Sequence, residues 1–393
     1  MKLNQNLYSR IIGVFCFLLL SPWLIWQTPG KQLFQVFFLF CILCLSVLIL
    51  KNKKKSKSSI SILSIYIALV FWTFIPFRDY DGIAPAVIFI FSAIMLFCLN
   101  NSDKVAVYKS FYNIYVCANC FFIFAWLLYL FKVPFPKIML ENTSKDIFGA
   151  YYYVYYGVVY INTQVHDVPF FSTIIRNHGF FKEPGHLGLY NCLFLLVYNK
   201  YLSRNNKVII FLSTFLTFSA PSLIFSLVIF VSYYMRSIFH IIKAIIISLV
   251  LFFVFSDIVS FIVENFILNK LSKGDGSLSG ILDARANDLY VLPALDFFHF
   301  IFGYGKNVFE VYDVIVSDYR NTIYKFGIVY LMLFIFPVLI VFKKSDDKFT
   351  VLMFISLTLV IFFHRAWMLE SAQMFMFVFF MFCSLLVRRD EFE

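Results

Sequence analysis

The sequence predicts an all-α polytopic integral membrane protein with about twelve transmembrane helices and two long outward loops, on three observations. Of the 393 residues 61% are hydrophobic and 14% charged, against about 45–50% and about 25% in a soluble domain. The 54 Phe and 24 Tyr carry more apolar surface than a soluble chain of this length can bury. Apolar stretches of bilayer length recur along the chain, and the basic residues between them fall mostly on alternate sides. This balance excludes a disordered chain, a nucleic-acid binder and an ordinary cytosolic enzyme.

A bilayer core takes about 20 apolar residues as a helix. Such stretches run over 11–27, 32–50, 59–77, 83–100, 110–131, 186–199, 208–219, 222–235, 244–262, 328–342, 349–363 and 372–387. The first has no small-residue cleavage site after it and reads as a retained span, not a signal peptide. Segments 208–219 and 222–235 are short and meet around Pro221; two tilted spans or one kinked span both fit. The chain divides into helices 1–5 (1–131), a first long loop (132–185), helices 6–9 (186–262), a second long loop (263–327), and helices 10–12 with a tail (328–393).

Alternating from an inside N-terminus, nineteen Lys and Arg fall in cytoplasmic segments, including the run Lys51–Lys57, against three in short outer loops: Lys31, Arg78 and Arg365. Positive charge collects inside, so both termini are placed in the cytoplasm. The stretch 51–59 reads as an anchor against anionic lipid. The net charge of +11 thereby needs no polyanionic partner. All eight Cys lie in apolar stretches and read as small hydrophobes. Cys41/Cys44 and Cys117/Cys120 lack further ligands, so no metal site is expected. No inverted repeat of broken helices is visible, which counts against a transporter.

Loops as long as 132–185 and 263–327 usually carry function or are disordered. These are rich in Tyr, Phe and Ile, so function is expected on the outer face. The densest polar cluster is Arg176-Asn177-His178-Gly179-Phe180-Phe181-Lys182-Glu183-Pro184-Gly185-His186-Leu187-Gly188, closing the first loop. Pro184 suits a first helical turn. Two cations, a carboxylate and two imidazoles at a span's mouth can hold an anionic head group and move a proton. They fit a plain loop-to-helix transition with interfacial charges equally well.

The second loop holds Asp283-Ala284-Arg285-Ala286-Asn287-Asp288, Phe302-Gly303-Tyr304-Gly305-Lys306 and Ser317-Asp318-Tyr319-Arg320-Asn321. Arg285 supplies a second cation for a diphosphate, or else pairs with Asp283 or Asp288. Gly303-x-Gly305 is a turn signal and no nucleotide loop. The run Tyr151–Tyr156, with Tyr152 in it, either stacks on sugar rings or forms an interfacial aromatic belt. His364-Arg365, in an outer turn, fits a lining role in the same cavity. Asp79-Tyr80-Asp81 lies on the wrong side for nucleotide sugars, Asp257 sits near the end of its span, and His240 and His299 read as structural.

The string Arg176-x-x-Gly179-x-Phe181-x-Glu183-Pro184-Gly185-x-x-Gly188 resembles a signature of bacterial O-antigen and capsule repeat-unit polymerases of the Wzy type. Thr217-Phe218-Ser219, Arg285, Phe302-Gly303-Tyr304-Gly305 and Phe326-Gly327-Ile328 resemble further features of that family, in order. The second glycine expected after Gly327 is absent, with Tyr330 or Leu331 in its place. The related O-antigen ligases carry a His-Asn pair where this chain has Asp318-x-Arg320-Asn321, which favours polymerase over ligase.

The resemblance implies two large periplasmic loops and a glycosyltransferase of the inner membrane that uses no metal and no cofactor. Its donor would be a glycan on undecaprenyl diphosphate, and its acceptor one lipid-linked oligosaccharide repeat unit. Expected partners are that substrate, membrane lipid, a chain-length regulator and a flippase, with no nucleic acid. Arg176 and Arg285 would neutralise the diphosphate leaving group bidentately, and Glu183 would be the base, with His178 or His186 second. A purely structural Glu183–Arg176 pair is the other possibility. Lys182, His186, Arg320, Arg365 and Tyr152 complete the expected substrate-binding set. The alternatives are a ligase transferring glycan to lipid A-core and, outside enzymes, a lipid-linked oligosaccharide flippase. A flippase should place charges along a path inside the spans and keep its loops short; this chain does neither.

Overall fold

The computed structural model describes residues 5–20, 31–51, 57–74, 83–99, 101–134, 137–141, 151–155, 158–160, 165–168, 171–181, 184–234, 291–305, 307–312, 314, 316 and 319–365. It is predominantly helical. Among the described residues the helices are α1 (Gln5–Leu20), α2 (Lys31–Lys51), α3 (Lys57–Phe74), α4 (Ile83–Cys98), α5 (Asn101–Leu130), α6 (Pro184–Tyr198), α7 (Arg204–Phe215), α8 (Ala220–Tyr234), α9 (Phe297–Phe302), α10 (Val308–Val311), α11 (Tyr319–Lys344) and α12 (Lys348–Arg365). Two are long and apolar enough to cross a membrane, α5 over Ser102–Leu130 and α11 over Tyr319–Lys344. The predicted spans 244–262 and 372–387 lie outside the described residues.

The described residues form two compact units, one within 1–22, 30–114 and 279–393, the other within 115–278. In the first, α4 packs on α2 and α3, α3 also meets α11, and α11 meets α9 and α12. Phe89, Phe91, Ala93, Ile94 and Met95 of α4 are buried, Phe89 lying edge-on to Tyr330 of α11 at 6.3 Å. Gly13 of α1 lies against Ser110 of α5, where an added Cβ would stand 2.7 Å from the serine Cβ. Asp347 caps α12, accepting from the Thr350 N–H at 3.1 Å and its hydroxyl at 2.7 Å. Lys348 Nζ donates to the Phe342 and Lys343 carbonyls that end α11, where a cation also suits the helix dipole.

In the second unit every residue of α6 is buried, and α6 packs against both α7 and α8. Tyr115, Phe194 and Tyr198 stack in a row, with ring centroids 4.3 and 4.6 Å apart. Gly188 brings α6 against α8: any Cβ there would run into the Ser222 hydroxyl. The region 208–235, open in the sequence between two spans and one kinked one, is two helices separated by 216–219.

An all-helical chain is not what the first long loop shows. It contains antiparallel strands β1 (Lys137–Glu141), β2 (Tyr151–Tyr155), β3 (Val158–Tyr160), β4 (Val165–Val168) and β5 (Phe171–Ile175). They pair β1-β2-β3 and β4-β5, with Met139 opposite Tyr153 and Tyr153 opposite Tyr160. The tyrosine run, with valines after it, is aromatic and β-branched, which suits cross-strand pairing. The second loop also differs: α11 begins at Tyr319, before the predicted span at 328, and breaks at Gly327 (φ 67°, ψ −177°).

That break is where the two glycine motifs of the second loop meet. Tyr304 N–H donates to Tyr324 O at 2.6 Å, and Gly305 N–H to Lys325 O at 3.0 Å. A Cβ on Gly303 (φ 72°) would stand 2.5 Å from the Lys325 carbonyl, and one on Gly327 would overlap the backbone of Ile301. Side chains are excluded twice, by left-handed dihedrals and by facing backbone. Gly327→Ala is therefore expected to lose more than the roughly 1–2 kcal/mol of a left-handed alanine. Its melting temperature in detergent should fall by several degrees, while Gly13→Ala, whose Cβ would meet the Ser110 side chain first and the Val107 carbonyl only at 3.0 Å, should fall less.

Candidate functional site

Residues 176–181, which follow β5, form a largely buried turn, and α6 begins at Pro184. Asn177, His178 and Gly179 are fully or almost fully buried, as is His186 in the first turn of α6. Asn177 Oδ1 accepts from the Gly179 N–H at 3.0 Å, the Asx turn that asparagine offers two residues ahead of a glycine. Gly179 takes φ 56°, and a Cβ there would stand 2.8 Å from the Phe122 ring. Phe180 lies edge-on to Phe122 at 4.6 Å, and Phe181 packs on Tyr190 at 5.0 Å. Phe181 N–H closes the turn on His178 O at 3.0 Å. Pro184 is the first residue of α6, where its missing N–H costs no hydrogen bond.

This turn docks on the break between α7 and α8. Asn177 N–H donates to Leu216 O at 2.9 Å, and Arg176 Nε to Thr217 O at 2.8 Å. The break is kept by Thr217, whose hydroxyl bonds the Thr214 carbonyl at 2.7 Å, and by Phe218 in a left-handed conformation, φ 44°. A non-glycine residue there stores about 1–3 kcal/mol of strain, which neighbouring contacts must hold. Arg176 is thus fixed at one nitrogen by a backbone carbonyl, half-buried, on the segment that carries His178 and His186. The positive end of α6's dipole begins eight residues after Arg176. A fixed guanidinium, two imidazoles and a helix N-terminus can bind an anion and transfer a proton.

Sequence reasoning missed the polar seam beneath this turn. Tyr115 Oη donates to Asn191 Oδ1 at 2.7 Å, Asn191 Nδ2 to Ser213 Oγ at 3.3 Å, and Asn119 Nδ2 to Tyr115 O at 2.9 Å. Asn191 and Ser213 are fully buried. An amide inside an apolar stretch is a legible signal, and so was the Asn-x-Gly spacing at 177–179.

The remaining expected site residues are placed as follows. Glu183, Lys182 and Arg285 lie outside the described residues. Tyr152 is in β2, paired with Leu140. Arg320 is in the first turn of α11, half-buried, and Arg365 ends α12. These last two belong to the first unit, and Arg176, His178 and His186 to the second.

His299, expected to be structural, is held on several sides, its carbonyl also accepting from the Gly303 N–H at 2.7 Å. Asp296 caps α9, accepting from the His299 N–H at 2.7 Å through Oδ1 and lying 2.7 Å from its Nδ1 through Oδ2. The imidazole stacks on Tyr304 at 3.8 Å, nearly parallel, and lies edge-on to Phe298 at 5.5 Å. The bonds to His299 hold the Asp296 carboxyl below the usual carboxylate range, whereas partial burial and the Asp296 charge push the Tyr304 phenol up.

No protein-family model, curated protein or solved structure matches the chain.

Asn177→Ala should leave the Gly179 N–H buried without its acceptor, lowering stability by about 1–3 kcal/mol, read as a thermal shift in detergent. The Asp296 carboxyl is lower in the fold than in the unfolded chain, so its stabilisation is present above the unfolded value and lost as pH falls through the folded one. Amide exchange over 297–303, corrected for intrinsic rate, should accelerate as pH falls below the usual carboxylate range. In Asp296→Ala it should be fast at every pH.

Proposed function

We propose that this chain is a multi-pass membrane glycosyltransferase of the bacterial inner membrane. It joins undecaprenyl-diphosphate-linked oligosaccharide repeat units into surface polysaccharide at the periplasmic face, as an O-antigen polymerase of the Wzy type does. The observation that carries this reading is the docking of Arg176 and Asn177, at the start of the 176–188 signature, on the turn at 216–217. Arg176 and Thr217, selected separately by the resemblance and 41 residues apart, meet at the Arg176 Nε–Thr217 O bond, with Asn177 on Leu216 O beside it. The clasp between Phe302-Gly303-Tyr304-Gly305 and Phe326-Gly327 supports it in the same way.

The outer surface supports the membrane setting. Phe37 and Phe40 of α2 are 61% and 62% exposed, and Ile224, Leu227 and Val231 of α8 and Leu352 and Leu359 of α12 are exposed with them. Apolar faces on this scale need a covering phase, and lipid supplies one.

In the proposed reaction the acceptor hydroxyl oxygen attacks the anomeric carbon of the donor glycan. The bond from that carbon to the diphosphate oxygen breaks, its electron pair leaving with undecaprenyl diphosphate. Charge grows on the diphosphate as it leaves, and Arg176 neutralises it there; the resemblance implies the same role for Arg285. The hydroxyl proton passes to Glu183, or to His178 or His186. Fixed donors aimed at developing charge are commonly the largest catalytic contribution.

The test is deletion in the native host, with surface polysaccharide resolved on a silver-stained gel, followed by complementation. Loss of a polymerase leaves lipid A-core capped by one repeat unit. Arg176→Ala, Glu183→Ala and Arg285→Ala, at normal membrane levels, should each restore less than about one hundredth of wild-type polymer, the scale of removing one fixed transition-state donor. Long chains stranded on undecaprenyl diphosphate would identify a ligase instead, and failure of any repeat unit to reach the outer face a flippase.

A further inference from the structure

The second long loop carries an exposed apolar face that the proposed chemistry does not use. In α9, Phe297 is 80% exposed, Phe298 53% and Phe300 39%, with Val311 of α10 at 74% nearby in sequence. Six residues reading Phe-Phe-His-Phe-Ile-Phe are too apolar to face water without a covering phase.

The level of α9 along α11 is fixed by backbone. Gly303 lies against Lys325 and Phe326, Gly327 against Ile301, and the Tyr304 and Gly305 N–H groups bond the carbonyls of Tyr324 and Lys325. Beyond the Gly327 break, α11 runs without a charged residue to Lys343 and Lys344. At a rise of 1.5 Å per residue, the helix from Ile328 to Lys343 spans about 24 Å. With Lys343 and Lys344 at one surface of a hydrocarbon core about 30 Å thick, the break lies in the outermost layer of the opposite leaflet. Over that length α11 itself exposes Met332, Ile335 and Leu339.

We propose that α9 is an interfacial helix whose Phe297, Phe298 and Phe300 rings insert into the outer leaflet of the bilayer, holding the second loop at headgroup depth. A helix lying in the interface buries its apolar face about 5–10 Å deep. The polar neighbours suit that level: Asp296 is mostly exposed, and Glu310 is exposed on α10. The loop would then sit where the diphosphate of a lipid-linked substrate lies. This rests on the membrane setting proposed above but not on the transferase chemistry.

The experiment uses the full chain with its native cysteines replaced, reconstituted in nanodiscs of phosphatidylethanolamine and phosphatidylglycerol. Spin labels are placed singly at Phe297→Cys, Phe300→Cys, Leu339→Cys and Glu310→Cys, and relaxation by oxygen is compared with that by a water-soluble nickel chelate. The expected result is an oxygen-to-nickel ratio at 297 and 300 several-fold above that at 310 and approaching that at 339. If 339 reports lipid while 297 and 300 match 310, the proposal is overturned and the membrane setting stands. If 297 and 300 are shielded from both reagents, another protein segment covers the face and the proposal is also overturned. If 339 reports water, the membrane setting fails and this proposal with it.

Discussion

Where a helix breaks in an apolar surrounding, its last carbonyls lose their donors, and the fold is organised around supplying replacements. A buried carbonyl without a partner costs about 1–3 kcal/mol. After α7 the carbonyls of Leu216 and Thr217 are taken by Asn177 N–H and Arg176 Nε. Ahead of the Gly327 break those of Tyr324 and Lys325 are taken by the Tyr304 and Gly305 N–H groups. Each break thereby fixes a segment distant in sequence. The two solutions differ in one respect. The 303–305 segment answers with backbone alone, whereas 176–177 answers partly with a guanidinium, placing a permanent charge at the break.

The same pair of breaks marks how far the sequence was legible. Helices were readable because hydropathy is a local property: the stretch predicted at 83–100 is α4 at Ile83–Cys98, and that at 349–363 is α12 at Lys348–Arg365. Strands β2 and β3 were not readable from the tyrosine run, because an aromatic belt and a half-buried strand present the same residues, and only pairing with β1 decides between them. The early start of α11 was hidden by polar residues at 319–325, whose helicity hydropathy does not report. For the site, Arg176, His178 and His186 were legible as a cluster. What Arg176 bonds to was not, since Thr217 is distant in sequence. Asn177 lies in the same cluster, and its role as the hinge of the turn follows from an Asx geometry that the Asn-x-Gly spacing carries.

Polar groups inside the second unit are handled by short relays. Asn191 links Tyr115 on α5 to Ser213 on α7, and Gly188 lets α6 approach Ser222 without a side chain between. A buried amide that donates and accepts between two fixed partners selects one rotation of each helix, because slippage by one residue would leave both bonds unmade. An apolar contact such as Tyr115 of α5 on Phe194 of α6 is less selective. The seam under the 176–188 turn therefore orients α6, and α6 in turn orients the imidazole of His186.

The connection between α11 and α12 closes on itself. Ser345 accepts from Asp347, Asp347 from Thr350, and Lys348 reaches back to the carbonyls of Phe342 and Lys343. Every one of these bonds lies within nine residues, so no contact outside 342–350 is needed to make the corner. Loop closure over so short a stretch takes about 10–100 ns. The turn between α11 and α12 is thus written locally, and it does not depend on which segments of the chain surround it.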